Sequence, residues 1–193
     1  MAKLNKFDLM GLLQEHGAVL GGHFRLSSGL HSSGYVQTAV VLQYPHIASR
    51  IAKAMAAKFP KDVDCVCSPA LGAVVIGQEV ARAKRRRAIF AERIEGLMTL
   101  RREFHVSRGE KVLIVEDVLT TGRSTGELVA LMHTYHAKVV GIAAIIDRTV
   151  SPLPFGIPLR SLISYPLELF APDDCELCKK GIPLTSPGSR YPI

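Results

Sequence analysis

The chain is short of several things, and each shortage narrows what it can be. It has no tryptophan, and only four cysteines in 193 residues. That is too few for a disulfide framework in a chain of this length. No uncharged apolar run approaches the length of a membrane span. The first residues, Met1-Ala2-Lys3-Leu4-Asn5, lack the apolar core and cleavage site of an export signal, so a cytoplasmic protein is expected. No repeat, linker or low-complexity stretch interrupts the chain. Acidic residues are in the minority: 17 Asp and Glu against 24 Lys and Arg, a formal net charge of +7. Such a balance suits nucleic acid, a membrane surface or anionic small molecules. The basic residues bunch at Lys84-Arg85-Arg86-Arg87 and Arg101-Arg102, with no aromatic interleaving, which ranks nucleic acid below a small polyphosphate. What remains is ordinary: 48% hydrophobic and 21% charged residues, enough for one domain with a full core.

The most informative stretch is Lys111 to Gly126. Val112 to Val115 is a β-branched apolar run that reads as a buried parallel strand ended by Glu116 and Asp117. Ligands sit at the carboxyl ends of strands in open α/β sheets. Thr120, Thr121, Ser124 and Thr125 then offer hydroxyls, Gly122 permits a tight turn, and Leu128, Leu131 and Met132 begin a helical pattern. Hydroxyls, backbone N–H groups and a helix start make a phosphate cradle. The two carboxylates suit vicinal hydroxyls or a hydrated magnesium ion instead. A phosphate cradle beside a diol acceptor implies a sugar phosphate, and ribose 5-phosphate fits. Ser124-x-x-Glu127 also fits a plain capping box.

Glu116-Asp117-Val118-Leu119-Thr120-Thr121-Gly122 resembles the phosphoribosyl-diphosphate motif of type I phosphoribosyltransferases. The flanking segments, from about Gly22 to the C-terminus, resemble the orotate phosphoribosyltransferase branch in its short bacterial form. The resemblance implies an α/β fold in which a parallel sheet is flanked by helices, with a small N-terminal hood and a mobile flap. It implies one domain over residues 1–193: hood to about 40, core to about 165, tail beyond. It further implies magnesium held mainly through the diphosphate and water, and a homodimer with shared sites. By the same resemblance, phosphoribosyl diphosphate contacts fall on Glu116 to Ser124, including Val118, Leu119 and Arg123, on the loop Ala70-Leu71-Gly72, and on Arg93. Glu116, Asp117, Arg101 and Arg102 become the catalytic candidates. Orotate contacts fall on Thr120, Tyr35 and Arg148.

The rest of the chain fits around that stretch. Phe7 to His16 has helical spacing. His23 to Gln37 reads as strand, polar turn and strand. There Ser27 stands where the family often has a base-contacting lysine, and Tyr35 falls near a family aromatic, with packing in the hood as its plain reading. A helix is expected from Pro45 to near Pro60, a strand over Val63 to Cys67, and a helix from Val74 to Ala83. The family lysine of the diphosphate loop is replaced by Gly72. Arg87 to Ala91 reads as a strand, and Glu92 to Phe104 as a flap or hairpin. Gly96 and Met98 stand near the places of the family's lid lysine and histidine, so Arg93, Arg101 and Arg102 are the remaining cations. Lys138 to Ile146 and Leu159 to Ser164 read as strands. Arg148, just past the first of these, suits a carboxylate; a surface pair with Asp147 is its plain reading. Cys175-x-x-Cys178 is half a zinc site, and Cys65-x-Cys67 on a buried strand is a poor second half, so a structural tail is expected. Two other readings remain open. One is a phosphoribosyltransferase for another base, against which the hood and Arg148 argue. The other is a regulator that binds phosphoribosyl diphosphate or nucleotide without turnover.

Overall fold

The computed structural model describes residues 8–26, 28–60 and 62–186. The expectation for Ser27, like the start of the first helix at Phe7, lies outside them. In chain order the elements are α1 (Leu9–Glu15), β1 (Val19–Arg25), β2 (His31–Val36), α2 (Ala39–Leu42), α3 (Pro45–Ala57), β3 (Cys65–Pro69), α4 (Val74–Lys84), β4 (Arg87–Ile94), β5 (Leu97–Leu100), β6 (Lys111–Leu119), α5 (Arg123–Thr134), β7 (Lys138–Asp147), β8 (Leu159–Ser164), β9 (Leu169–Phe170) and α6 (Glu176–Lys179). Among the described residues no helix is long and apolar enough to cross a membrane.

Six strands form one sheet in the order β5-β4-β3-β6-β7-β8, parallel except at the β4–β5 pair. From β3 the chain first moves outward to β4, then returns to the other side of β3 as β6. The carboxyl ends of β3 and β6 thus flank the point where the winding reverses, where open α/β sheets form a crevice. Strand alternation sorts the core. Leu113 and Val115 of β6 pack with Ile47, Ile51 and Met55 of α3 and Ile76 and Val80 of α4 on one face. Val112 and Ile114 pack with Leu128, Val129 and Met132 of α5 on the other. Each such side chain, fully buried, contributes about 1.5–3 kcal/mol of transfer free energy.

Two expectations change here. First, β6 does not stop at Val115. It continues through the acids to Leu119, because Glu116, Val118 and Leu119 pair with Ala144, Ile146 and Asp147 of β7. Second, the hood is not purely N-terminal. Its sheet has the order β1-β2-β9, so the C-terminal segment supplies a strand, and Thr185 bridges to Phe24. The flap stretch is the antiparallel hairpin β4–β5. It turns at Glu95 and Gly96, whose φ values of 48° and 86° suit a tight two-residue hairpin turn.

Candidate active site

Because β6 stays pleated through the acidic pair, Glu116 and Asp117 point to opposite faces. Asp117 lies on the side of Leu113 and Val115, below the hood. Its carboxylate accepts a 2.7 Å hydrogen bond from the Thr38 hydroxyl. A Cβ built on Gly72 would stand 2.8 Å from Asp117 Oδ2, so the loop at 70–72 lies directly against this acid. The site that a longer side chain at 72 would need is filled by the carboxylate itself. Glu116 instead turns toward α5, is 6% exposed, and accepts from the Thr125 hydroxyl at 3.2 Å. Burial, and then the Asp117 charge, push its carboxyl well above the usual carboxylate range, against the opposing Thr125 bond. The expectation that both acids face the ribose is therefore corrected: Asp117 faces the crevice and Glu116 the interior.

Past β6, residues 120–122 form the loop. Gly122 takes φ 71° and precedes α5 with no side-chain cap, and Leu153 packs so close that a Cβ at 122 would meet it at 2.7 Å. With Gly122 as cap, no cap side chain occupies the first-turn N–H groups of α5, which suits an anion site. The Ser124–Glu127 capping box does not form. Glu127 pairs with Arg93 and with Arg123 Nε at 3.0 Å, and these guanidinium groups outweigh its burial and hold its carboxyl below the usual range. Thr120 is half-buried, Thr121 is exposed, and Thr121 Oγ1 accepts from the Arg123 N–H at 3.4 Å. Leu119 is core, and its carbonyl accepts the Arg148 N–H at 2.9 Å; Val118 packs against the α3 side. Neither side chain is left for substrate. Opposite, the loop of Ala70 and Leu71, joined by a cis peptide, leads into α4, which also lacks a side-chain cap.

Arg148 sits at the end of β7, 3% exposed. Its Nη2 donates to Ser32 Oγ at 3.0 Å and to the Gly34 carbonyl at 3.4 Å, both on β2. Its Nε is buried without a partner, and it makes no ion pair among the described residues. Asp147 does not neutralise it, because that carboxylate accepts from Thr149 N and Oγ1 at 2.9 and 2.7 Å. Tyr35 lies between these groups. Burial and the Asp117 charge raise its hydroxyl above the usual value, and the Arg148 charge opposes them. Its ring centroid is 5.8 Å from that of Phe24. Tyr35, Asp117 and Arg148 are thus brought together by two strand ends and the hood. Thr38 is a site residue that the sequence reading missed. Its only signal was its place just after the second hood strand.

The flap cations are unequal. Arg93 pairs with Glu127, and Arg102 with Glu92 at 2.9 Å while lying over the Phe90 ring. Arg101 is exposed and makes no ion pair among the described residues. The run at 84–87 is absorbed by the fold: Lys84 caps the Phe59 and Pro60 carbonyls, Arg86 the Val63 carbonyl, and Arg87 binds Glu110 and the His105 carbonyl. That leaves little of it for nucleic acid.

The exposed donors of the crevice are oxygens: one carboxylate, threonine and serine hydroxyls, and backbone groups. Such a set fits magnesium, which takes one or two carboxylates and keeps water and phosphate as its other ligands.

Comparison with known proteins agrees with this geometry. Residues 38–155 match the model of the phosphoribosyl transferase domain. An orotate phosphoribosyltransferase of Caldicellulosiruptor bescii is 46% identical over 188 residues, covering 97% of this chain and 99% of that protein. One of Thermotoga maritima is 46% identical over 180 residues, covering 93% of this chain and 96% of that protein. Among solved structures, orotate phosphoribosyltransferase from Aeropyrum pernix shares the fold, with a TM-score of 0.68 at 21% identity over 81% of this chain and 93% of that one. With identity of this level along nearly its whole length, and with the domain match spanning the crevice itself, the chain belongs to the orotate phosphoribosyltransferase family of phosphoribosyltransferases.

Proposed function

We propose that the chain transfers the 5-phosphoribosyl group of 5-phosphoribosyl 1-diphosphate to orotate, yielding orotidine 5′-monophosphate and diphosphate. The observation that carries the orotate half is Arg148. A buried guanidinium without an anionic partner costs several kcal/mol, and a ligand carboxylate received in its fork offsets that cost. Purine and uracil bases bring no carboxylate. Tyr35 lines the same space and supplies an apolar wall to a flat ring.

The donor sugar lies across the crevice. The α5 N-terminus with Thr120, Thr121, Gly122 and Ser124 takes the 5-phosphate, and that remote binding orients the reacting carbon. Asp117, held by Thr38, accepts the ribose hydroxyls and faces the positive charge that grows on the ring as the C1–O bond breaks. The backbone of residues 70–72 and the α4 N-terminus receive the diphosphate. Asp117 through water, together with the diphosphate oxygens, would hold magnesium, whose chemistry is to offset the leaving group's charge. Arg101 is the flap cation left for that charge, and it acts in a neighbouring subunit's site within a homodimer. The exposed Leu71, Val75, Ile94 and Leu97 suit a surface covered by a second copy. Four free thiols suit a cytoplasmic location.

The test pairs substrate choice with one variant. Purified chain with the sugar donor and magnesium should turn over orotate and leave uracil, adenine, guanine and hypoxanthine essentially untouched. Arg148→Ala should weaken orotate binding by roughly tenfold to a hundredfold, the loss of a charged hydrogen-bond pair, while donor binding by calorimetry stays near normal. Arg148→Lys should rescue poorly. Equal loss of both substrates would make Arg148 a structural residue and remove the orotate assignment.

A further inference from the structure

The C-terminal Cys-x-x-Cys finds its second half in the hood, not in Cys65-x-Cys67. Cys65 and Cys67 are sealed in the core among Ile89 and Ile114, and burial pushes the Cys65 thiol up to about 12, so they offer no thiolate. Two histidines converge instead. His23 on β1 and His31 on β2 are 2% and 5% exposed, and Cys175 is 1% exposed at the start of α6. Cys178, one helical turn on, is exposed and closes the group from the solvent side. The four ligand atoms all lie within 4.8 Å of one another. His23 Nε2 is 3.0 Å from His31 Nδ1, 3.4 Å from Cys175 Sγ and 3.7 Å from Cys178 Sγ, and Cys178 Sγ is 3.4 Å from His31 Nδ1.

The three nitrogen–sulfur spacings match the edges of a coordination tetrahedron, and the two nitrogens stand a little closer than its edge. With zinc–nitrogen bonds of about 2.0–2.1 Å and zinc–sulfur bonds of about 2.3 Å, neighbouring ligand atoms stand roughly 3.3–3.8 Å apart. Hydrogen bonding alone accounts poorly for the cluster. His23 Nδ1 lies 2.8 Å from the Ile182 carbonyl, which can only accept, so that nitrogen carries a proton, and in the neutral ring Nε2 presents a lone pair. His31 Nδ1 and both thiols then crowd around that single lone pair. One cation would satisfy all four groups at once. The Ile182 contact is also the outer hydrogen bond that orients a metal-bound imidazole.

We propose that His23 Nε2, His31 Nδ1, Cys175 Sγ and Cys178 Sγ bind one structural zinc ion that ties the C-terminal segment to the hood. Two thiolates with two imidazoles select zinc over magnesium or calcium, and four protein ligands leave no open position for catalysis. The backbone around the cluster is joined in the same sense. Thr185 N donates to the His23 carbonyl at 2.9 Å, Arg25 N to the Thr185 carbonyl at 2.8 Å, and β9 pairs with His31 and Ser32. Ser32, next to a ligand, is the residue that holds Arg148. The ion therefore braces the strand from which the base site is built.

Elemental analysis of the whole chain, made in zinc-supplemented medium and gel-filtered, tests this without reference to activity. One zinc per chain is expected, and a Cys175→Ser, Cys178→Ser double variant should carry almost none. Refolding the parent chain with cobalt(II) should give the thiolate charge-transfer and tetrahedral ligand-field bands. A strong chelator should lower Tm by about 5–10 °C, the scale of losing a tertiary tie in a chain of this size, and added zinc should restore it. Should the double variant not fold, the metal count and cobalt spectrum of the parent chain still decide. The proposal is overturned if the parent chain holds no stoichiometric metal, holds a different one, keeps its zinc in the folded double variant, or is isolated with a Cys175–Cys178 disulfide.

Discussion

At the scale of single residues, neighbouring carboxyl groups have unlike fates. Asp117 and Glu116 are joined by a peptide bond, yet the pleat sends one to the crevice and the other to the interior. Asp117→Ala, folded and with normal thermal stability, should lose roughly tenfold to a hundredfold in turnover, the value of one charge-assisted hydrogen bond; steady-state kinetics read this directly. For Glu116 the expected signature is in stability. The folded chain holds its proton at pH values where the unfolded chain, with a carboxyl near the ordinary 4.5, has released it. Unfolding thus releases a proton, and stability falls as pH rises from the ordinary carboxylate range toward the raised folded value. Glu116→Gln keeps an acceptor for Thr125 and removes the titration. Its Tm should exceed that of the parent chain near neutral pH, and the two curves should meet at about pH 4. A constant offset across that range would show that Glu116 is ionised in the fold.

At the scale of elements, close approach decides which residues are allowed. Gly141 of β7 lies under Phe59, just past α3: a Cβ there would stand 2.3 Å from the ring. Arg160 of β8 covers the same ring from outside, 5.6 Å from its centroid. The ring has no easy way out, so Gly141→Ala should cost about 1–3 kcal/mol as overpacking. That corresponds to ~3–10 °C in Tm, measured by calorimetry. An unchanged Tm would mean that Phe59 and Arg160 swing away together. The β4–β5 hairpin follows the same logic. Its tight turn fixes the register, and Arg102 and Arg93 are held back to Glu92 and Glu127, leaving Arg101 as the exposed cation beyond it.

At the scale of the molecule, the crevice of one chain is short of positive charge. The loop at 70–72 presents backbone groups and lies against Asp117, and Arg148 stands on the base side. A diphosphate leaving group needs a cation as charge builds on it. A second copy would bring Arg101, and the apolar side chains exposed along the flap tip and diphosphate loop would be covered by it. Mixing two strongly impaired variants tests this arrangement. One is Asp117→Ala; the other combines Arg101→Ala with Arg102→Ala. Subunit exchange in a shared-site dimer yields hybrids with one doubly damaged and one intact site, so activity should reappear, at most half the parent value per hybrid. If exchange is demonstrated by native mass spectrometry and the mixture stays impaired, the flap acts within its own subunit.

Local pattern decided much by itself. The apolar runs at 112–115, 138–146 and 159–164, and the helical spacing after Pro45 and Val74, are signals carried by neighbours in the chain, and the elements formed where those signals lie. The Thr-Thr-Gly turn was legible for the same reason, since a glycine with positive φ before an amphipathic run is a local device. Tertiary structure decided what depends on residues far apart in sequence. Pairing with β7 carried β6 past its apolar run and so split Glu116 from Asp117. Thr38 reached Asp117 from 79 positions away, and Ser32 reached Arg148 from 116. His23 meets the two cysteines from more than 150 positions away. A Cys-x-x-Cys pair is visible in sequence because one helical turn brings its sulfurs together. Its histidines are not, because only the folding of the tail onto the hood places them within bonding distance of those sulfurs.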